Sequence, residues 1–218
     1  IFDLINGDDI IYCIRYKDFR KYHCAELKIK DIGGRQMKVG FIGGGNMATA
    51  MIGGILDRNI VGADDIIVST KTEKSRERVQ QTYRVQTTLD NREVAQNCDI
   101  LILAVKPKFY EEVIKDVRDL IRYEQIVVSI APGKTLDWLE GTVGKPVKLV
   151  RCMPNTPALV GEGMTGVCKN QLLSEEEMKE VCTLLEGFGK VELVEESLMD
   201  VVVSVSGSSP AYVFLFIE

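Results

Sequence analysis

A glycine-rich segment in the first half of the chain combines residue types and spacing that suit phosphate binding. Its members are Gly43, Gly44, Gly45, Asn46, Met47 and Ala48. The order fits the pattern G-x-G-x-x-G/A, in which Gly43 permits a tight turn, Gly45 lets the backbone approach a diphosphate, and Ala48 allows close helix–strand packing. A helix that begins here directs free N–H groups and its positive dipole end at phosphates. With a strand before it and a helix after it, the segment predicts a dinucleotide site; without them it is an ordinary glycine-rich turn.

The segment Ser69–Thr72 indicates which dinucleotide is bound. In sheets that bind NAD, an Asp or Glu at the end of the second strand usually holds the ribose hydroxyls. This chain has Ser-Thr-Lys-Thr there instead, with Lys74 and Arg76 close behind. Hydroxyls and cations suit a 2′-phosphate, so the pattern favours NADPH and leaves NADH open. Glu73 opposes this interpretation, and a solvated run of charges is the alternative.

Two further loops follow apolar runs. Ala104–Pro107 reads Ala-Val-Lys-Pro, and Ser129–Gly133 reads Ser-Ile-Ala-Pro-Gly. The proline Pro107 ends its strand and fixes the turn. Ligands of parallel α/β sheets bind at the carboxyl ends of the strands, so we expect both loops beside the cofactor, the second at the nicotinamide. For Lys106 the alternative is an ordinary exposed loop lysine.

The segment Arg151–Ala158 predicts a rigid turn after another apolar run. An Asn-Thr pair stands between Pro154 and Pro157, and such a turn presents polar groups on a fixed backbone. A purely structural turn explains the same residues, so both interpretations stay open.

Composition excludes several kinds of chemistry and partner. His23 is the single histidine and lies near the N-terminus, so a Ser-His-Asp triad or a His general base has no candidate in the main body. We therefore predict no catalytic side chain. Six scattered cysteines without a C-x-x-C pair argue against a zinc site and favour free buried thiols in a reducing cytoplasm. A net charge of -5, with bases interleaved among acids, argues against nucleic-acid binding.

The elements that must position these residues alternate between strand and helix. Strands are predicted at Val39–Ile42, Ile66–Ser69, a short run around Val85, Ile100–Val105, Ile126–Ile130 and Val147–Arg151. Helices are predicted at Asn46–Leu56, Glu73–Thr82, Asn91–Asn97, Phe109–Ile121, Thr135–Glu140 and Ser174–Glu186. Ser174 and Glu177 form a capping-box pattern at the start of the last helix. Near-continuous Val/Ile/Leu strands between helices indicate an α/β fold, a doubly wound parallel sheet of the Rossmann type.

The two ends of the chain depart from this pattern. Residues 1–36 lack an initiating Met, and their acidic residues argue against a signal or transit peptide, so we expect an extension outside the native fold. A dinucleotide-binding domain is expected at 37–196, and residues 197–218 are expected to begin a helical domain that further chain would complete. Because Ser, Gly and Pro separate the apolar runs Val201–Val205 and Ala211–Ile217, we predict no membrane span of about 20 residues.

Four of these motifs together resemble the pyrroline-5-carboxylate reductase family. They are the glycine segment, the Ala-Val-Lys-Pro loop, the Arg-x-Met-Pro-Asn-Thr-Pro-Ala turn and the Ser-Gly-Ser-Ser-Pro-Ala-Tyr segment at Ser206–Tyr212. They occur in the family's order and spacing over Met37–Glu218, and the Met-Pro-Asn-Thr-Pro-Ala string is the most specific. The resemblance implies hydride transfer from NAD(P)H to the C=N bond of 1-pyrroline-5-carboxylate, a cyclic imine. The product is L-proline, and this is the last step of proline biosynthesis.

The resemblance also implies roles for individual residues. Gly43–Ala48 would bind the diphosphate, Ser69 and Lys71 the adenosine ribose, and Asn91 the cofactor. The nicotinamide end would be lined by Ala104, Val105, Lys106, Ile130 and Pro132. One member of the pair Glu195 and Glu196, with Glu196 preferred, is implied as an acid near the substrate, and a homo-oligomer is implied for the full-length protein.

The chain departs from the family pattern in two respects. Ser209 stands where the family usually has Gly, so a positive φ there would strain the backbone. The family continues into a helical dimerisation domain with a Gly-Thr-rich loop for the substrate carboxylate. Residues 1–218 alone are therefore expected to bind cofactor without turning over substrate. The lack of a catalytic histidine agrees with the implied chemistry, because a protonated imine is already an electrophile and positioning can lower the barrier by about 7–11 kcal/mol.

Two alternatives to this reaction stay open. A related reductase, such as a 3-hydroxyacid dehydrogenase or an F420-linked NADP reductase, shares the glycine segment, although the Met-Pro-Asn-Thr-Pro-Ala turn argues against both. A non-catalytic dinucleotide-binding module shares it as well. Turnover of the imine by the complete protein separates an enzyme from such a module.

Overall fold

Short runs of Val, Ile and Leu form the strands of a single sheet. The computed structural model describes residues 37–217, so the predicted extension at 1–36 lies outside the described residues. The strands found in this part of the chain are β1 Val39–Ile42, β2 Ile66–Ser69, β3 Gln86–Thr88, β4 Ile100–Leu103, β5 Ile126–Ser129, β6 Lys148–Met153, β7 Gly163–Lys169 and β8 Gly189–Leu193. Their order across the sheet is β3-β2-β1-β4-β5-β6-β7-β8. Neighbouring strands run parallel except β6 and β7, which are antiparallel.

Helices cover both faces of this sheet. The α-helices are α1 Asn46–Asp57, α2 Glu73–Tyr83, α3 Asn91–Asn97, α4 Tyr110–Val117, α5 Leu136–Val143, α6 Glu175–Leu185, α7 Met199–Val202 and α8 Ser209–Ile217. Short 3₁₀ turns lie at Ala63–Asp65, Pro107–Phe109, Thr156–Val160, Glu186–Phe188 and Glu196–Leu198, and a π-helical turn lies at Val203–Gly207. Because side chains alternate along a strand, Phe41 packs with α1, α2 and α6 on one face, and Ile42 packs with α3, α4 and α5 on the other.

The direction of the strand order changes next to β1. From β1 the chain continues to β2 and β3 on one side, and then crosses to β4, β5 and β6 on the other. The loops after β1 and β4 therefore leave the sheet in opposite directions and open a crevice at its carboxyl edge, where doubly wound folds bind their ligands.

The predicted α/β fold with a doubly wound sheet is confirmed, although the sheet is mostly rather than wholly parallel, and the ends of several elements need correction. The strand predicted to Val105 ends at Leu103, the helix predicted to Ile121 ends at Val117, and the helix predicted to end at Glu140 continues to Val143. The sequence did not predict β7 or β8. Both contain glycine and charged residues instead of an apolar run, and long-range pairing holds them: β7 with β6 and β8, β8 with β7. The capping box is confirmed, since Ser174 and Glu177 bond reciprocally at the start of α6.

The last segment is helical and largely exposed. The Ser-Gly-Ser-Ser-Pro sequence was expected to separate two apolar runs, but the helical segment continues through it. Glu196–Ile217 consequently has the length and composition of a membrane span, two criteria that core helices of soluble proteins also meet. Ser209 adopts helical backbone, and the non-glycine residues with positive φ in the described chain are Asn59 and Arg84. The condition for strain at Ser209, a positive φ, is therefore not met.

Candidate active site

The turn between β1 and α1 is shaped by its glycines. Gly43 has φ 108°, a conformation that L side chains rarely adopt. A Cβ at this position would lie 2.6 Å from the carbonyl oxygen of Ala104, in the loop after β4. The N–H of Gly43 donates to the carbonyl of Ser69 at 3.0 Å. The turn therefore lies against the ends of both neighbouring strands, and a side chain here would disturb both contacts.

Gly45 occupies the N-cap of α1 and leaves the helix end open. A Cβ added to Gly45 would meet no atom within 4 Å, and no side chain caps the helix or places an acid in its first turn. The orphan N–H groups and the positive dipole end of α1 are thus available to an anionic ligand. Arg78 approaches from α2, where its Nη2 donates to the carbonyl of Gly44 at 2.8 Å. Sequence reasoning missed this added positive charge, because 34 residues separate the two.

The end of β2 brings three predicted cofactor residues into one region, but differently exposed. Ser69 is fully buried, and its hydroxyl donates to Oδ1 of Asn91 at 2.7 Å. Lys71 is exposed, and its Nζ lies 5.1 Å from the centre of the Phe109 ring. Ser69 therefore orients Asn91, whereas Lys71 presents its charge to solvent at the edge of the crevice.

One ion pair on α2 neutralises two of the charges of this helix. The Nε of Arg76 donates to Glu73 at 2.9 Å, and this hydrogen bond lowers the pKa of the Glu73 carboxyl. Arg76 is thus paired with the acid that opposed the NADP interpretation. Lys71 and Lys74 are both exposed beside the pair, so the lysines, more than Arg76, can meet a 2′-phosphate.

The loops after β4 and β5 line the other wall of the crevice. Ala104, Val105 and Ile130 are half-buried, whereas Lys106 and Pro132 are exposed. Close approach of the Gly43 turn to Ala104 places the first loop directly beside the glycine segment. The structure therefore brings the predicted diphosphate and nicotinamide residues to one edge of the sheet.

A buried arginine organises the region beyond β5. Arg151, near the end of β6, is 3% exposed. Its Nη1 lies 3.1 Å from Oε1 of Glu196, and its Nη2 lies 3.2 Å from Oδ1 of Asp200. The same Glu196 oxygen accepts the N–H of Leu136 at 2.7 Å, at the start of α5. Glu196 therefore joins β6, the first residue of α5 and the final helical segment.

Sequence reasoning missed Arg151 and Asp200 as members of this cluster. The signal was a charged residue at the end of the apolar run Val147–Arg151, because a buried arginine requires acidic partners. The identity of those partners is not encoded locally, since they lie 45 and 49 residues further along the chain.

The rigid turn at Met153–Ala158 is tied to the final segment through Asn155. Its Nδ2 donates to the hydroxyl of Ser206 at 3.2 Å, and its Oδ1 accepts the N–H of Met164 at 2.8 Å. Both ends of this amide are engaged within the chain, which supports the structural interpretation of Asn155. Asn155 therefore connects the turn to the π-helical segment and to β7.

Thiols in the described part of the chain are poor nucleophiles. Burial raises the pKa of Cys98 to about 12 and that of Cys168 to about 11, so both are protonated at neutral pH. Cys152 and Cys182 are also free and buried. The prediction of buried thiols is confirmed for these four, while Cys13, Cys24 and His23 lie outside the described residues. No group of three or more metal-ligating side chains occurs within 37–217.

The site combines a glycine turn at the switch point of a doubly wound sheet with exposed lysines and with the loops after β4 and β5. This arrangement defines a dinucleotide-binding oxidoreductase of the Rossmann class. Residues 38–133 match the family model described as NADP oxidoreductase, coenzyme F420-dependent. That match includes the glycine segment and ends before the turn at 151–158.

Comparisons over a longer stretch identify the family. The chain is 40% identical over 183 residues to pyrroline-5-carboxylate reductase of Escherichia coli, covering 84% of this chain and 68% of that protein. It is 36% identical over 182 residues to pyrroline-5-carboxylate reductase 2 of Bacillus subtilis, covering 83% and 65%. The chain belongs to the pyrroline-5-carboxylate reductase family.

Solved structures agree with this assignment. A pyrroline-5-carboxylate reductase from Coxiella burnetii superposes with a TM-score of 0.80 at 32% identity, covering 84% of this chain and 68% of that one. The Plasmodium falciparum pyrroline carboxylate reductase with NADP bound gives 0.76 at 32%, covering 83% and 66%. A prephenate dehydrogenase from Aquifex aeolicus, at 18% identity and a TM-score of 0.66, shares the fold alone.

Proposed function

We propose that the protein reduces 1-pyrroline-5-carboxylate to L-proline with NADPH, with NADH as a weaker alternative. Membership of the family, at 40% identity over 183 residues to a relative of that name, is the observation that carries the reaction, and the open N-terminus of α1 at Gly45 supports binding of its dinucleotide. The crevice fits a dinucleotide, because Gly45 leaves room for close backbone approach and no acid in the first turn of α1 opposes a diphosphate.

The chain's own residues bind and orient. Gly43–Ala48 offers backbone N–H groups to the diphosphate, and Lys71 offers its ammonium to the 2′-phosphate. Ser69 and Lys71 lie at the adenosine ribose, and Asn91, whose Oδ1 accepts the hydrogen bond of the Ser69 hydroxyl, contacts the cofactor. At the far wall, the segments Ala104–Lys106 and Ile130–Pro132 flank the nicotinamide ring.

The chemistry that bound NADPH supplies is a hydride for the carbon of the protonated C=N bond, whose π electrons pass to nitrogen and leave a neutral amine. This step needs no side-chain acid, which agrees with our assigning no catalytic side chain. Glu196 contributes on the substrate side: one carboxylate oxygen is engaged by Arg151 and Leu136, and the side chain is still about one-third exposed. Holding imine and nicotinamide in register can lower the barrier by about 7–11 kcal/mol.

The proposal extends to the cellular location and the oligomeric state of the protein. We place it in the cytoplasm, where buried free thiols persist. We also place it in a homo-oligomer, because large apolar side chains of α8 such as Leu215, Phe216 and Ile217 are 70–90% exposed in the single chain.

An assay of the full-length protein tests the function. NADPH oxidation is followed by absorbance while proline is quantified by chromatography, with pyrroline-5-carboxylate present or omitted. The proposal predicts one proline formed per NADPH oxidised. NADPH binding without proline formation would instead identify a non-catalytic binding module, and turnover of a 3-hydroxyacid but not of the imine would identify a different reductase.

A further inference from the structure

The hydroxyl of Tyr110 is buried between the ends of two neighbouring strands. Tyr110 is the first residue of α4 and is fully buried. Its hydroxyl donates to the carbonyl of Leu103 in β4 and accepts the N–H of Ile130, just after β5, at 3.2 Å. The hydroxyl of Ser129 lies 3.4 Å away. One side-chain oxygen therefore bridges the two strands at the point where their loops begin.

Other strand pairs at this edge end in direct backbone hydrogen bonds. Ile42 pairs with Leu103, and the next residue, Ala104, donates its N–H to the carbonyl of Ile42 at 2.8 Å. The β1–β2 pair ends in the same way, with Gly43 donating to Ser69 at 3.0 Å. Regular parallel pairing continues in this pattern from rung to rung.

The β4–β5 pair departs from that rule at the equivalent rung. Leu103 pairs with Ser129, so regular pairing would join the N–H of Ile130 to the carbonyl of Leu103. Both groups bond to Tyr110 instead. The inserted oxygen separates the two strand ends and holds the loops after them apart.

We propose that Tyr110 is a positioning residue, which sets the distance between the loops that flank the nicotinamide. This inference rests on the proposed function, because it concerns the walls at Ala104–Lys106 and Ile130–Pro132. Burial raises the pKa of the Tyr110 hydroxyl, chiefly by desolvation, so the group keeps its proton and can donate to Leu103 throughout the physiological range.

The substitution Tyr110→Phe removes the bridging oxygen and retains the packed ring. Without the oxygen, the N–H of Ile130 can bond directly to Leu103, and the loops move together. We therefore expect the protein to stay folded while the space for the reduced ring narrows. If the hydroxyl only stabilised the fold, Tyr110→Phe would lower the stability of the protein. It would then weaken binding at the whole cofactor site equally.

The experiment compares three measurements on the full-length protein: kcat for imine reduction, the Kd of NADPH by fluorescence, and the Kd of adenosine 2′,5′-bisphosphate, which lacks the nicotinamide. Tyr110→Phe should lower kcat by about tenfold or more, since small misplacements of a reactant are costly. NADPH affinity should fall, and the affinity for the bisphosphate should be unchanged. Tyr83→Phe, which removes a hydroxyl at the end of α2, serves as the matched control and should change none of these values.

Retention of wild-type kcat by Tyr110→Phe would overturn the proposal, as would equal weakening of NADPH and the bisphosphate. Should that variant fail to fold, a crystal structure of the wild-type protein with NADPH decides. A Tyr110 hydroxyl between Leu103 and Ile130, with the nicotinamide between the two loops, supports the proposal, and a direct hydrogen bond from Ile130 to Leu103 contradicts it. Failure of the wild-type protein to bind NADPH would instead reject the proposed function itself.

Discussion

The crevice has two ends that are stabilised by different interactions. One end is the glycine turn after β1, and the other is the cluster of Arg151, Glu196 and Asp200. At the glycine turn, the contacts come from backbone: Gly43 donates to Ser69, and Gly45 leaves the first N–H groups of α1 open. At the far end, the contacts come from charged side chains, with Arg151 buried between Glu196 and Asp200. The glycine turn can bind a ligand because it lacks side-chain atoms, whereas the Arg151 cluster depends on the charges of its side chains.

This difference predicts opposite sensitivities. A backbone site is damaged by any added carbon but responds little to removal of neighbouring charges. A site held by ion pairs tolerates changes of shape but responds to loss of charge, especially where burial limits solvent screening. Substitutions at the two ends should therefore separate cofactor affinity from substrate affinity.

The largest effect is expected from Gly43→Val. A Cβ would lie 2.6 Å from the Ala104 carbonyl oxygen, and the backbone φ of 108° is unfavourable for any side chain. We expect the affinity for NADPH to fall by about 100-fold, or roughly 3 kcal/mol, measured by fluorescence titration. Gly141→Ala is the control: it lies in helix α5 with open space around its Cβ and should raise stability by roughly 0.5–1 kcal/mol. If Gly43→Val bound NADPH with wild-type affinity, the claim that the glycine turn binds the cofactor through its backbone would be contradicted.

A second substitution at the same end, Gly45→Ala, separates binding from folding. The added methyl meets no protein atom within 4 Å. The melting temperature should change little, because Ala restricts the unfolded chain but is a poorer N-cap residue than Gly. The methyl occupies the space through which a diphosphate approaches α1, so NADPH affinity should fall by about tenfold, or ~1.4 kcal/mol. Calorimetric titration and thermal unfolding of the same sample check both statements. An unchanged affinity would place the diphosphate elsewhere.

At the charged end, Arg151→Met should alter substrate use more than cofactor use. Loss of the guanidinium leaves Glu196 without the partner that orients it, and we expect a higher KM for the imine with NADPH affinity within about twofold. The cost in stability should be about 1–3 kcal/mol by urea unfolding, because both carboxylates can hydrate once the partner is gone.

The matched control is Asp200→Asn, which removes the other, 86% exposed partner of Arg151. Exposed ion pairs contribute about 0–1 kcal/mol. This change should therefore leave the KM for the imine and the KM for NADPH near the wild-type values. Equal loss of imine and NADPH affinity in Arg151→Met would show that the two ends of the crevice are not independent.

A smaller effect is expected from Lys71→Ala, which tests whether one charge contributes at the otherwise backbone-dominated end. NADPH affinity should fall by about fivefold, or ~1 kcal/mol, and NADH affinity should not change, because NADH lacks the 2′-phosphate. Lys115→Ala, on α4 and paired with Glu111, is the control of equal charge. Equal weakening of NADH and NADPH would refute a role for Lys71 in discrimination.

The same contrast explains what the sequence could predict. The glycine turn is local: strand, turn and helix follow one another within about 20 residues, and hydrophobic periodicity suffices to place them. Ser69, Lys71 and the loops at Ala104 and Ile130 follow from the rule that ligands bind where parallel strands end. Their roles as contacts stay predictions, as do the domain boundaries at 36 and 196.

Features that depend on distant pairing were not predictable. The partners of Arg151 come from a segment more than 40 residues away, and nothing near the arginine indicates them. Tyr110 reads as an ordinary apolar helix residue, and its role depends on a rung of the β4–β5 pair. The strand β7 carries two glycines, and antiparallel pairing with β6 decides its conformation.

A crystal structure of the full-length protein with NADPH tests the central claim most directly. We expect the diphosphate at the N-terminus of α1, within hydrogen-bonding distance of the backbone of Gly44–Asn46. We also expect the nicotinamide between Ala104–Lys106 and Ile130–Pro132. A nucleotide bound away from the glycine turn, or no bound nucleotide at saturating concentration, would contradict the claim.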